Sequence, residues 1–377
     1  YDDLRPARAE RSLDEDAASV RRLTEHSIDE QLRGRSTVFL SGGLDSSIIA
    51  AELAARSPGT CHAYSIHFGP RYPNELEFAR EVARRSRLQH HEVELSPKRF
   101  IPKLRRAIWH LDDPIGDPIT VPNFLLAERV ARDGFDTVFN GEGGDPLFGG
   151  PKNLTMMLQH WYGGVARGPE FRERAYLRSY RRAYELIGPL LTPDLTRGFD
   201  VDEVLETPLR PFLRDTKEPA FLNRLMRINM TLKGANLILP KVDRMLGAHG
   251  LRIASPLFDA RLLRASLAMN PRHKLARGIE KVVLKHAWSN VLPLRVLERP
   301  KSGMRVPVHY WFKREARRYI RALLSRKSVR AAGWFNVEAV EKLLRYELSG
   351  QGRFGIRLWM LLTLELWRRL VLEREPI

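Results

Sequence analysis

At 377 residues, 43% hydrophobic and 29% charged, the chain is long enough for one large core or two smaller ones and has the balance of a globular protein. No apolar run reaches bilayer length, Tyr1-Asp2-Asp3 offers no secretory leader, and the lone Cys61 excludes a disulfide framework or a multi-cysteine zinc site, so a cytoplasmic protein is expected. The formal net charge of +18 permits an acidic partner, polyphosphate or nucleic acid. Acids interleave the arginines, as in Arg172-Glu173-Arg174, and no basic aromatic platform appears, so a soluble Arg-rich surface is preferred to nucleic-acid binding.

Tyr1 in place of Met implies a trimmed or missing N-terminus, and residues 1–12 read as a polar tail. Leu13, Ala17, Val20, Leu23, Ile28 and Leu32 recur at helical spacing until Gly34. Strands are expected at Thr37–Leu40, Cys61–Phe68, His91–Leu95 and Phe135–Phe139. Between them helices are expected after Ser46 or Ser47, which can cap the first, and at Asn74–Arg87, Phe100–Leu111 and Val121–Arg132. This alternation predicts a doubly wound parallel sheet with ligands beyond the carboxyl ends of its strands. After Gly150 the strand signal fades, and the rest reads as mainly helical, ending in the apolar helix Leu358–Trp367. The expected units are therefore a linker and helix (1–35), an α/β core (36–150) and a helical portion (151–377).

The chemistry gathers at two glycine-rich turns. In Leu40-Ser41-Gly42-Gly43-Leu44-Asp45-Ser46-Ser47, strand, glycine turn and helix N-terminus make an anion cradle of amides and hydroxyls. No Gly-Lys-Ser/Thr follows, so this is not a Walker A loop. Asp45 would repel a phosphate held there unless Mg²⁺ lay between them. The second turn, Asn140-Gly141-Glu142-Gly143-Gly144-Asp145-Pro146, sets two carboxylates three residues apart after the fourth strand, without EF-hand spacing.

The first turn resembles the Ser-Gly-Gly-x-Asp-Ser loop of the ATP pyrophosphatases. With the second, the chain resembles the synthetase domain of glutamine-dependent asparagine synthetases, whose relatives include β-lactam synthetases and lasso-peptide cyclases. Further matching segments are Tyr64-Ser65-Ile66, His110–Pro118, Lys241-Val242-Asp243-Arg244-Met245 and Arg299-Pro300-Lys301-Ser302-Gly303. The resemblance implies an adenine nucleotide α-hydrolase-like sheet and an AMP-forming ligase that adenylates a carboxylate and passes the acyl group to ammonia or an amine. It implies that Ser41, Gly43, Asp45 and Ser46 hold the pyrophosphate end of ATP, with Leu40, Gly42 and Ser47 of the same loop also counted as nucleotide-binding. Ser65, Ile66 and Gly141 would flank the adenosine, Asp45 and Asp145 would bind Mg²⁺, Glu142 would be the acid/base and Lys301 would neutralise developing charge.

Three departures bear on the acceptor. No glutaminase Cys stands at position 1, so the nitrogen is expected as free ammonia, ammonia from a separate or omitted domain, or a substrate amine. The family's Leu-Glu-x-Arg-x-Pro-Phe-Leu-Asp reads Leu251-Arg252-Ile253-Ala254-Ser255-Pro256-Leu257-Phe258-Asp259, which is expected to change charge beside the site. Pro146 and Pro151-Lys152-Asn153 replace an expected acid and Tyr. Glu142 stands where β-lactam synthetases carry Tyr, which disfavours that chemistry. The alternatives are a macrolactam or peptide cyclase or natural-product amidoligase of this family, a tRNA-modifying ATP pyrophosphatase, and a non-catalytic scaffold. The oligomeric state is open, a homodimer included.

Overall fold

The computed structural model describes residues 11–150, 152–163, 171–180, 184–185, 187–299 and 304–377. A helix at Leu13–Gln31 begins with a reciprocal cap: the Ser12 hydroxyl accepts from the Glu15 amide, and Glu15 accepts from the Ser12 amide at 2.7 Å. No described helix is long and apolar enough to cross a membrane.

Five strands form one sheet: β1 Ser36–Phe39, β2 His62–His67, β3 Gln89–Glu94, β4 Thr137–Phe139 and β5 Arg252–Ala254. Their order is β3-β2-β1-β4-β5, and every pairing is parallel. The doubly wound expectation therefore holds. β4 is buried at all three positions, as a central strand covered on both faces must be. β3, at one edge, is polar and mostly accessible. Strand order reverses between β1 and β4, which opens a crevice at their carboxyl ends. Both glycine turns leave from there.

Several elements differ from the sequence reading. β5 comes from the portion read as helical. The expected Phe100–Leu111 helix is broken into Pro97–Phe100, a 3-10 turn Ile101–Lys103 and Leu104–Trp109, because Pro102 has no amide to continue the ladder. The helix after β1, Leu44–Arg56, is capped by Gly43 through backbone alone, not by Ser46 or Ser47. A long helix has a π-helical middle, Asn229–Ile238, between Phe221–Ile228 and Leu239–Gly247. Pro240, without an N–H, stands two residues past the widened turns, and a β-carbon on Gly234 would lie 2.6 Å from the Phe258 ring.

Residues before and after position 150 share both main cores. Tyr64 and Phe100 pack with Trp311 and Trp359, while Ile48 and Phe139 pack with Trp288. Phe100 meets Trp311 edge-on at 4.9 Å and Trp359 at 5.5 Å, contacts of about 1 kcal/mol each beyond area burial. The terminal helix, Gly355–Trp367, thus lies in the same core as the first strands.

Candidate active site

The first turn is fixed from behind. Leu40 extends the ladder by donating to the Tyr64 carbonyl at 2.9 Å. Gly42 has φ +79°, and a β-carbon there would lie 2.6 Å from the Ala79 amide nitrogen, so only glycine fits. Arg299 donates to the Gly42 carbonyl at 2.9 Å, pairs with Glu75 and lies 4.2 Å from the centre of the Phe78 ring. In front, the serines close on each other: Ser41 Oγ and Ser46 Oγ are 2.9 Å apart, Ser46 Oγ donates to the Gly43 carbonyl, and the Gly43 amide donates to Ser41 Oγ.

The second turn is set by Asn140, whose Oδ1 accepts from the Glu142 amide at 2.9 Å and from Ser255 Oγ at 3.1 Å. A β-carbon on Gly141 would sit 2.4 Å from the Ser46 amide nitrogen. The two turns therefore touch backbone to backbone. Here the glycine admits a neighbouring loop as well as the open site.

This contact brings Asp45 and Asp145 together. Lys281 Nζ lies 2.7 and 2.6 Å from the two Asp45 carboxylate oxygens and 2.5 Å from Asp145 Oδ1. Lys281 is 4% exposed and has φ +56° at the start of the Val282–Ala287 helix, just after the hairpin Leu275–Ala276/Ile279–Glu280. One turn on, burial lowers the Lys285 ammonium below the usual lysine range; the Lys281 charge adds to this, and Glu280 and Glu298 oppose it. Two hard carboxylates aimed at one cation-sized point are the donor set that Mg²⁺ takes when phosphate oxygens and water complete its shell.

A cavity of about 300 Å³ opens over both turns. Of the residues expected from sequence, Leu40, Ser41, Gly43, Asp45, Ser46, Ile66, Gly141, Glu142 and Asp145 line it. Gly42 is behind the loop, and Ser47 is wholly buried on the inner side of its helix. Ser65 lines an adjoining hollow of about 200 Å³ that shares Leu40, Ser41 and Ile66. Its Oγ donates to the Leu40 carbonyl at 2.5 Å and lies 2.7 Å from His90 Nε2. Lys301, with Pro300, Ser302 and Gly303, is outside the described residues.

Sequence reasoning missed Lys281, Lys285 and Arg299. The signal for the two lysines was their spacing, four apart, in Glu280-Lys281-Val282-Val283-Leu284-Lys285, whereas Arg299 stood in a matching segment but was given no role. It also misplaced one departure. Arg252 is exposed and pairs with Thr137 at the amino end of β4, so its charge is directed away from the cavity. Ala254 is buried beside Phe139. Pro146 does line the cavity, whereas Asn153 is buried and accepts from Asn229 Nδ2 at 3.2 Å.

Comparison with known proteins gives the family. The asparagine synthase family model matches residues 19–369. The chain is 24% identical over 363 residues to glutamine-hydrolyzing asparagine synthetase 1 of Bacillus subtilis (strain 168), covering 89% of this chain and 56% of the relative. It is 28% identical over 379 residues to a putative glutamine-hydrolyzing asparagine synthetase of Mycobacterium bovis, covering 94% and 57%. The rat glutamine-hydrolyzing asparagine synthetase is 27% identical over 290 residues, covering 73% and 41%. The chain spans about half the length of these curated relatives. On the family match and the parallel sheet that carries both turns, the chain belongs to the asparagine synthase family, with a sheet of the ATP-pyrophosphatase type.

Proposed function

We propose that the chain is an ATP-dependent amide-forming ligase that adenylates a carboxylate and then transfers the acyl group to ammonia or an amine. The observation that carries this reading is the convergence of Asp45 and Asp145 on one cation, where two glycine turns meet at the head of a cavity. A carboxylate is a poor electrophile because oxide would have to leave. In the proposed reaction an acceptor oxygen attacks the α-phosphorus of ATP and pyrophosphate departs; the amine nitrogen then attacks the acyl carbon and AMP departs.

The residues have matching tasks. Ser41, Ser46 and the amides of the first turn exchange their mutual hydrogen bonds for bonds to the β- and γ-phosphates. Leu40 and Ile66 give the adenosine an apolar slot, with Ser65 bracing the Leu40 carbonyl. Asp45 and Asp145 would hold Mg²⁺, which when bound supplies charge stabilisation to the departing pyrophosphate. Lys281 and Lys285 offer positive charge beside the same phosphates. Glu142, on the cavity wall, takes the proton that the attacking amine must lose. The nitrogen reaches the site as ammonia, from glutamine hydrolysed elsewhere or from solution, or as a substrate amine. The test is incubation with Mg·ATP, ammonium and a panel of carboxylic acids. Acid-dependent AMP and pyrophosphate are expected; ADP and phosphate, or no turnover with any acid, would overturn the proposal.

A further inference from the structure

Resting on that reading, we infer that the acceptor is a monocarboxylic acid with an apolar substituent, and not a second-carboxylate acid such as aspartate. The cavity has three walls. One carries the phosphate-facing turns, and another the adenosine slot of Leu40 and Ile66. The third is built by Ile119, Asn123 and Leu126 around the start of the Thr120–Arg132 helix, Pro146 after the metal-facing Asp145, and Ile238 and Val242 from the long helix.

No charged side chain belongs to this third wall among the described residues, and Asn123 is its single polar side chain. Of the cations that line the cavity, Lys281 is held by Asp45 and Asp145, Arg299 by Glu75 and the Gly42 carbonyl, and Lys285 lies one helical turn beyond Lys281. Lys241, next to Val242 in sequence, is buried and spends its charge on Asp117 at 2.6 Å. A second carboxylate pressed on this wall would lose its water and gain no counter-charge from the described residues that build it, whereas an aliphatic or aromatic group would be well matched. The π-helical turns end at Ile238, so the widened backbone itself supplies part of this apolar face.

Exchange of labelled pyrophosphate into ATP tests this, because it needs adenylation but no amine. The full chain is assayed with Mg²⁺ and aspartate, glutamate, leucine, phenylalanine and simple aliphatic and aromatic acids. Apolar acids are expected to exceed aspartate by roughly 100-fold or more in kcat/KM. Ile119→Arg is expected to cut exchange on apolar acids at least tenfold and to narrow the gap to aspartate. ATP binding, measured by calorimetry on the same variant, should be kept as proof of folding. Aspartate equal to or better than the apolar acids would overturn the inference and leave the ligase reading standing. An unchanged acid profile in an ATP-binding Ile119→Arg variant would also overturn it. No exchange with any acid would remove the ligase reading and the inference together.

Discussion

The wall assigned to nucleotide and the wall assigned to acceptor are built in opposite ways. The first is two short turns, each contiguous in sequence, each leaving a strand at the point where the strand order reverses. Its polar atoms are prepaired: serine to serine, carboxylates to lysine, guanidinium to carbonyl. The second is assembled from two distant stretches, residues 119–126 and 238–242, with Pro146 from the end of the second turn, and presents mostly carbon. Chemistry common to a whole family needs fixed polar geometry. Choice of substrate needs only shape and polarity, which can change one side chain at a time.

If this contrast is right, damage should scale with the wall struck. The largest effect is expected for Asp45→Asn or Asp145→Asn: acid-dependent pyrophosphate release should fall on the order of 10³-fold for every acid alike. A loss confined to some acids would break the distinction between the walls. Next, Glu142→Gln should slow amide formation about 10²-fold, with pyrophosphate exchange less affected, since the proton transfer belongs to the second half-reaction. Equal loss in both assays would instead place Glu142 in adenylation. A smaller effect separates neighbouring serines: Ser46→Ala should raise the KM for ATP roughly tenfold (about 1.4 kcal/mol), as loss of a hydrogen bond to charged phosphate does. Ser47→Ala, behind the helix, should leave that KM within about twofold.

The smallest effect is one of pH. His62, His90 and His91 stand behind the nucleotide wall, where His62 Nδ1 and His91 Nε2 are 2.8 Å apart and His90 contacts Ser65. Burial, ahead of the neighbouring charges, lowers all three below the usual histidine value. The native state then binds fewer protons than the unfolded chain below about pH 6.5, so stability is full above that pH and is lost as the pH falls through it. Tm followed from pH 8 to pH 5 should decline, and His91→Gln should flatten the decline. A Tm that rises toward pH 5 would contradict this packing.

The same contrast explains what could be read from residues alone. Strands near Thr37, Cys61 and Phe135 were legible as short runs rich in apolar or β-branched residues, and the polar edge strand near His91 through Val93 and Leu95, which alternate with Glu92 and Glu94. So was the position of Asp45, Ser46, Glu142 and Asp145 on the cavity, since they sit at fixed offsets inside the two turns. β5 was not legible: its three residues, Arg252–Ala254, carry no period of their own and become a strand by pairing with β4. Lys281 was not legible because it meets Asp45 across 236 residues, and locally only Lys285, four residues on, marks it. Ser47 was over-read, since the motif names a serine while helix geometry decides which one faces the cavity. The apolar acceptor wall needed the fold, because Ile119, Pro146 and Val242 are unremarkable residues until they share a surface.

The most direct test is a crystal of the protein with Mn²⁺ and an ATP analogue that has a methylene between its α- and β-phosphorus. The account predicts anomalous density from an ion bound by both Asp45 and Asp145, with the β- and γ-phosphates on the Ser41–Ser46 turn and Lys281 moved from between the carboxylates. Nucleotide bound elsewhere, or an ion that touches only one of the two aspartates while Lys281 stays in place, would contradict it.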